Sequence, residues 1–130
     1  MNERITQRRQ DFFNALERLK EGVKEEANEI VIDGILHRYE FTFELAWKTI
    51  KDYLEYNGIV NDIASPRGII QQAYASKVID NGKIWIQMML DRNSLSYLYD
   101  EKKSRIIYDN IRNKYILELK KLKQFLEVKI

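Results

Sequence analysis

The 130-residue sequence has no cysteine, a single proline at Pro66, five glycines and a single histidine at His37. Without cysteine the chain forms no disulfide, offers no thiol nucleophile and binds no metal through thiolate, which fits a reducing compartment. So little proline and glycine leaves few residues to punctuate the many turns of an all-β fold, and the abundant Leu, Ile, Lys and Glu favour helices. Charge of one sign is also missing. The balance of 22 basic against 20 acidic residues leaves a formal +2, too small for a broad electrostatic footprint on nucleic acid, so any RNA or DNA contact has to be local. No apolar run reaches the roughly 18 residues that span a bilayer. Met1-Asn2-Glu3-Arg4 leads directly into a charged helical pattern with no signal-peptide core. A cytoplasmic protein with no membrane association is expected.

What is present is helical periodicity. Apolar residues make up 45% of the chain, enough for one continuous core in a single domain over residues 1–130. Ile5, Phe12, Leu16, Leu19 and Val23 predict a first amphipathic helix with Arg4, Arg8, Glu17 and Lys20 on its other faces. Asn28 is placed to cap a second helix that runs to Asn57 and stops at a left-handed Gly58. Ile32, Leu36, Tyr39, Phe43, Ala46, Ile50 and Tyr53 form its apolar stripe, widened by Ile35, Phe41, Leu45, Trp47 and Leu54. Only a narrow polar line remains, Asp33, His37, Glu40, Glu44, Lys48, Lys51 and Glu55, which predicts burial on more than one side. Ser65-Pro66 reads as an N-cap and first residue of a short helix with Ile69, Ile70, Ala73 and Tyr74 inward. After Asp80-Asn81-Gly82, a fourth helix carries Trp85, Met88, Met89, Leu95 and Tyr99. A long last helix carries Ile107, Tyr108, Ile111, Tyr115, Leu119, Leu122 and Leu126. The short connections favour antiparallel neighbours, so the expected fold is all-α, an up-down bundle of four to five helices.

Arg92 interrupts the apolar series of the fourth helix, and a guanidinium there requires a partner or a ligand because an unpaired buried charge is costly. A structural ion pair to a carboxylate such as Glu44 and a functional role both remain open. His37, Glu40 and Glu44 share one helical face at spacings that di-iron bundles use, but those sites need a second histidine from a partner helix. A solvated polar stripe with a Glu44–Lys48 pair is the simpler account, and no metal or cofactor is expected. Tyr39, Phe41, Phe43, Trp47, Tyr53 and Tyr56 have faces on which bases stack, although at helical spacing such clusters usually form core. No Gly-rich phosphate loop or zincin motif is present.

Three segments together resemble the nucleotidyltransferase substrate-binding proteins: Arg38-Tyr-Glu-Phe-Thr-Phe-Glu-Leu-Ala-Trp-Lys48, Ser65-Pro-Arg-Gly-Ile69 and Asp91-Arg-Asn-Ser-Leu-Ser-Tyr-Leu-Tyr-Asp100. That family is similar to the HepT-type toxins of the wider HEPN group, helical bundles that dimerise and are encoded beside a minimal nucleotidyltransferase acting as antitoxin. The resemblance implies such a partner encoded nearby, a homodimer and a nucleotide or RNA ligand. HEPN ribonucleases use an Arg, a following polar residue and a His a few positions later, and Arg92 and Asn93 match the first part. Tyr97 stands where the His is expected. An imidazole exchanges protons near neutral pH, whereas a phenol ordinarily titrates near about 10 and is a poor base there. The catalytic set implied is therefore Arg92, Asn93 and Tyr97, with Glu44, Lys48, Asp91, Arg92 and Ser96 as binding residues. Tyr99 matches the tyrosine that the partner enzyme of HepT-like toxins adenylylates. On a continuous helix it would lie about 20° around from Arg92.

These features predict a binding subunit of a nucleotidyltransferase pair that is not itself catalytically competent. The alternatives are a HEPN-type ribonuclease toxin with an altered active site and a purely structural helical adaptor.

Overall fold

The computed structural model describes residues 3–59, 65–97 and 100–129, and among them the chain forms five helices and no strand. Helix α1 spans Glu3–Gly22 and α2 spans Glu29–Tyr56. Helices α3 and α4 follow at Pro66–Ala75 and Gly82–Ser94. The last helix, α5, has three parts: Glu101–Asn110, a π-helical turn Ile111–Tyr115, and Ile116–Lys129.

The helix ends follow from local chemistry. The side chains of Asn28, Ser65, Asn81 and Asp100 each accept a backbone N–H of the helix they precede, satisfying a donor that would otherwise have no partner. At the end of α2, Gly58 takes φ +69, and Ile59 N–H donates back to the Leu54 carbonyl at 2.9 Å. The end of α3 closes in the same way. Val78 donates to Ala73 at 2.9 Å, but there the left-handed residue is Lys77, at φ 63, where glycine is the usual choice.

Contacts define the topology. Arg8 meets Asp52, Thr42 donates to the Ala15 carbonyl, and Arg38 donates to the Arg18 carbonyl, so α1 and α2 are antiparallel. The Tyr39 hydroxyl donates to the Met88 carbonyl at 2.7 Å, and Phe43 packs on Trp85, which runs α4 against α2. Tyr39 stacks on Tyr115 and Tyr53 meets Phe125 edge-on, so α5 runs in the same direction as α2. The result is the expected up-down bundle, with α3 packed against α2 and α4. Helix α2 is the centre: Tyr39, Phe43, Ala46, Ile50 and Leu54 are fully buried, and each large apolar side chain so buried contributes about 1.5–3 kcal/mol.

The structure corrects several expectations. Phe41 is 59% exposed and Tyr74 is 56% exposed, whereas the sequence pattern places both inward. Tyr53 and Leu45 are only half-buried. Thr42, Thr49 and Asp52 occupy inner positions instead. The two threonines satisfy their hydroxyls on the carbonyls of Arg38 and Leu45, one turn back, which makes them small, hydrogen-bonded core residues. Asp52 is 3% exposed and accepts from Arg8 at 2.9 and 3.0 Å, so Arg8 is a bridge between helices and not a solvent-facing charge. Burial raises the Asp52 pKa even though the Arg8 charge opposes it.

The last helix keeps its predicted core residues but not a uniform pitch. Ile107, Ile111, Tyr115 and Leu119 recur at three successive steps of four, and on an ideal α-helix each such step drifts about 40°. The wider π turn at Ile111–Tyr115 absorbs that drift and keeps Tyr115 and Leu119 fully buried.

Candidate functional site

Helix α4 delivers Arg92 in its last turn. The chain then tightens into a 3₁₀ turn at Leu95–Tyr97, with the Ser94 hydroxyl donating back to the Asp91 carbonyl. The fourth helix therefore stops short of its expected extent. Leu95 is half-buried on the turn, and Tyr97 points outward at 78% exposed. Tyr99 lies outside the described residues.

Arg92 is not enclosed in the core. Its side chain is 26% exposed and pairs through Nη2 with Glu44 Oε2, while Nη1 donates to Asn93 Oδ1 at 3.3 Å. Among the described residues its buried Nε has no acceptor. Glu44 collects three donors: Arg92 and the Trp47 indole N–H at 3.1 Å, both on Oε2, and Lys48 at 3.2 Å on Oε1. Partial burial works to raise the Glu44 pKa, but the hydrogen bonds from Trp47 and Lys48 and the charges of Arg92 and Lys48 outweigh it. The carboxyl is held below its ordinary value. Glu44, Lys48, Arg92 and Asn93 thus come together on one edge of the bundle, between α2 and the end of α4.

Asp91 turns to the other side. Its Oδ2 accepts from the Tyr115 hydroxyl and, at 3.4 Å, from Asn110 Nδ2. Burial and the bond to Asp91 push the Tyr115 phenol far above its usual titration range, so it stays a donor. Asp91 fixes the end of α4 to the π turn and is not part of the Arg92 cluster. Ser96 is exposed on the 3₁₀ turn. His37 lies elsewhere, in a groove between α1 and α2 with Arg18, Arg38 and Phe41.

The sequence pattern did not show Trp47 as a partner of Glu44, or Tyr115 and Asn110 as partners of Asp91. Asn110 and Tyr115 are five residues apart, the repeat of a π turn, and that spacing was the available signal. Chemically, the Arg92 guanidinium has five donors in a planar fork and spends few of them, which suits it to a phosphate. The cluster contains no imidazole.

A model of the family described as nucleotidyltransferase substrate binding protein like matches residues 7–128. A Haemophilus influenzae protein named Probable ribonuclease HepT is 29% identical over 84 residues, covering 62% of this chain and 58% of that protein. The chain thus spans under two thirds of that curated relative. A crystal structure of a Thermus thermophilus protein superposes with a TM-score of 0.79 at 26% identity, covering 85% of this chain and 94% of the other. A second structure, of an H. influenzae protein and reported as the fold of a substrate binding domain of a nucleotidyltransferase, gives a TM-score of 0.81 at 22% identity. It covers 92% of this chain and 98% of the other, a likeness of fold.

Proposed function

Because this chain belongs to the nucleotidyltransferase substrate binding protein like family, we propose that it is the binding subunit of a nucleotidyltransferase pair. In this reading it is the HepT-like component of a two-gene toxin-antitoxin-type system, works beside a minimal nucleotidyltransferase, and is not itself a competent nuclease. The observation that carries the reading is the composition of the Arg92 edge. Arg92 and Asn93 are present and joined, but the position expected to move protons holds an outward-facing tyrosine.

Phosphodiester cleavage requires one group to take the proton of the attacking hydroxyl and another to protonate the leaving oxygen. Arg92 can neutralise phosphate charge but does neither, since guanidinium stays protonated. What remains is recognition: Arg92 and Asn93 donate to a nucleotide or RNA phosphate, with Glu44 and Lys48 setting the angle of the guanidinium. Leu90 and Tyr97 flank Asn93 in sequence and are exposed, and these apolar side chains suit a homodimer contact. Adenylylation of Tyr99 by the partner enzyme would add a phosphate close in sequence to Arg92 and block the edge by charge and volume.

RNA cleavage by purified protein tests the reading. The unmodified protein is expected to be inactive, and Tyr97→His is expected to gain activity that Arg92→Ala removes. Cleavage by the unmodified protein, lost in Arg92→Ala, would replace the reading with an altered-site ribonuclease, which the HepT-named relative favours. The Arg92–Glu44 pair also fits a structural adaptor. In that case Arg92→Ala lowers stability and leaves partner binding intact. Co-purification with the cognate nucleotidyltransferase, followed by intact mass after incubation with ATP, tests the partnership and the Tyr99 modification together.

A further inference from the structure

Phe41 is out of place for a core helix. It lies mid-way along α2, between the fully buried Tyr39 and Phe43, yet it is 59% exposed. It lines a groove of about 400 Å³ between α1 and α2 with Arg18, His37 and Arg38, a volume in the ~300–1,000 Å³ range of small-molecule sites.

The charges in this groove are unspent. Arg38 donates one N–H to the Arg18 carbonyl at 2.7 Å, near the C-terminal end of α1, where a cation complements the helix dipole. Gly22 lets it lie there, since a Cβ would come within 3.3 Å of the Arg38 Nη1. Among the described residues no carboxylate pairs with Arg38 or Arg18. Asp11, the acidic residue lining the groove, accepts from Gln7 at 2.9 Å. Two guanidiniums in no ion pair, an imidazole and an exposed aromatic face, set against the single carboxylate of Asp11, suit a phosphorylated nucleoside, with phosphate on the donors and base on the ring.

We propose that the α1–α2 groove is a second binding site for a nucleoside phosphate, held by Arg18 and Arg38 with the base stacked on Phe41. This goes beyond the Arg92 reading and does not depend on it. Residues 37, 41 and 44 follow one another along the same exposed side of α2, and His37 lies about 10 Å along the axis from Glu44. The nucleoside phosphate is therefore either a free nucleotide or one unit of a single-stranded RNA that continues to Arg92.

Calorimetric titration of the full chain with AMP, with adenosine and inorganic phosphate as controls, tests this. A ten-nucleotide single-stranded RNA supplies the second arm. AMP is expected to bind more tightly than either control and to weaken roughly tenfold or more in Phe41→Ala and Arg18→Gln, both exposed positions whose folding is checked by thermal melting. In an Arg92→Ala background, which removes the other phosphate-binding edge, AMP is still expected to bind and to be weakened by Phe41→Ala. RNA that binds more tightly than AMP and is weakened by both Phe41→Ala and Arg92→Ala identifies the source as RNA. RNA no tighter than AMP identifies a free nucleotide. Absence of AMP binding at millimolar concentration overturns the proposal, as does equal affinity in Phe41→Ala. Loss of AMP binding only in Arg92→Ala would place the nucleotide in the other cluster and also overturn it.

Discussion

Glu44 shows how much one carboxylate organises here. It takes the Arg92 guanidinium, the Trp47 indole and the Lys48 ammonium, and its folded pKa lies below the ordinary carboxylate value because these donors outweigh its partial burial. A depressed carboxyl contributes stability above its unfolded pKa and loses it as pH falls through the folded one. Chemical denaturation of the parent protein and Glu44→Gln should therefore differ by about 1 kcal/mol at neutral pH. The two curves should converge in acid, below the lowered pKa of Glu44. A gap that stays constant across that range would show that Glu44 acts through packing and not through charge. The sequence put Arg92 and Glu44 forward as possible partners because a guanidinium in an apolar series demands one. It could not show that the pair lies at an edge, because exposure depends on where α4 stops.

The π turn at Ile111–Tyr115 belongs to the scale of the element. It adds one residue to the helix so that Tyr115 reaches Asp91 while Leu119, Leu122 and Leu126 stay on the core side. Deleting Asn113, an exposed residue within the turn, converts the steps after Ile111 to three, four, three and four, the spacing of an ordinary α-helix. That variant should fold with unchanged helical circular dichroism, losing about 1–2 kcal/mol with the Tyr115–Asp91 bond. Deleting Lys120, equally exposed but in the regular helix, rotates Leu122 and Leu126 about 100° off the core. Its cost should be about 2–5 kcal/mol for each leucine, and melting curves of the two deletions should separate clearly. If both unfold alike, the turn is not a simple one-residue insertion. The apolar residues of this helix were legible in the sequence, but its change of pitch was not, because a run of four-residue steps also fits a curved or supercoiled α-helix until a partner surface is specified.

For the whole molecule, the bundle surrounds α2, and exposed apolar side chains remain at Leu90 and Tyr97, two and five residues from Arg92 in sequence. No described helix is long and apolar enough to cross a membrane. The homodimer proposed above makes a direct prediction: sedimentation at micromolar concentration should give twice the 15.6 kDa chain mass. Leu90→Lys together with Tyr97→Lys should return it to one, through the cost of burying unpaired like charges in a symmetric contact. A monomer in the parent protein would leave the Arg92 edge open to solvent or to the nucleotidyltransferase alone.

The sequence by itself determined the all-α class, the caps at Asn28 and Ser65, the burial of α2 on more than one side and Glu44 as a carboxylate partner for Arg92. These are matters of period, turn chemistry and side-chain type, which act over a few residues. Tertiary structure alone decided that Phe41 faces a basic groove, that Asp52 is buried under Arg8, that Asp91 turns to Tyr115, and that Tyr97 swings outward. Each of these depends on which helix packs against which face, and α2 is apolar around so much of its circumference that its sequence pattern leaves that choice to its neighbours.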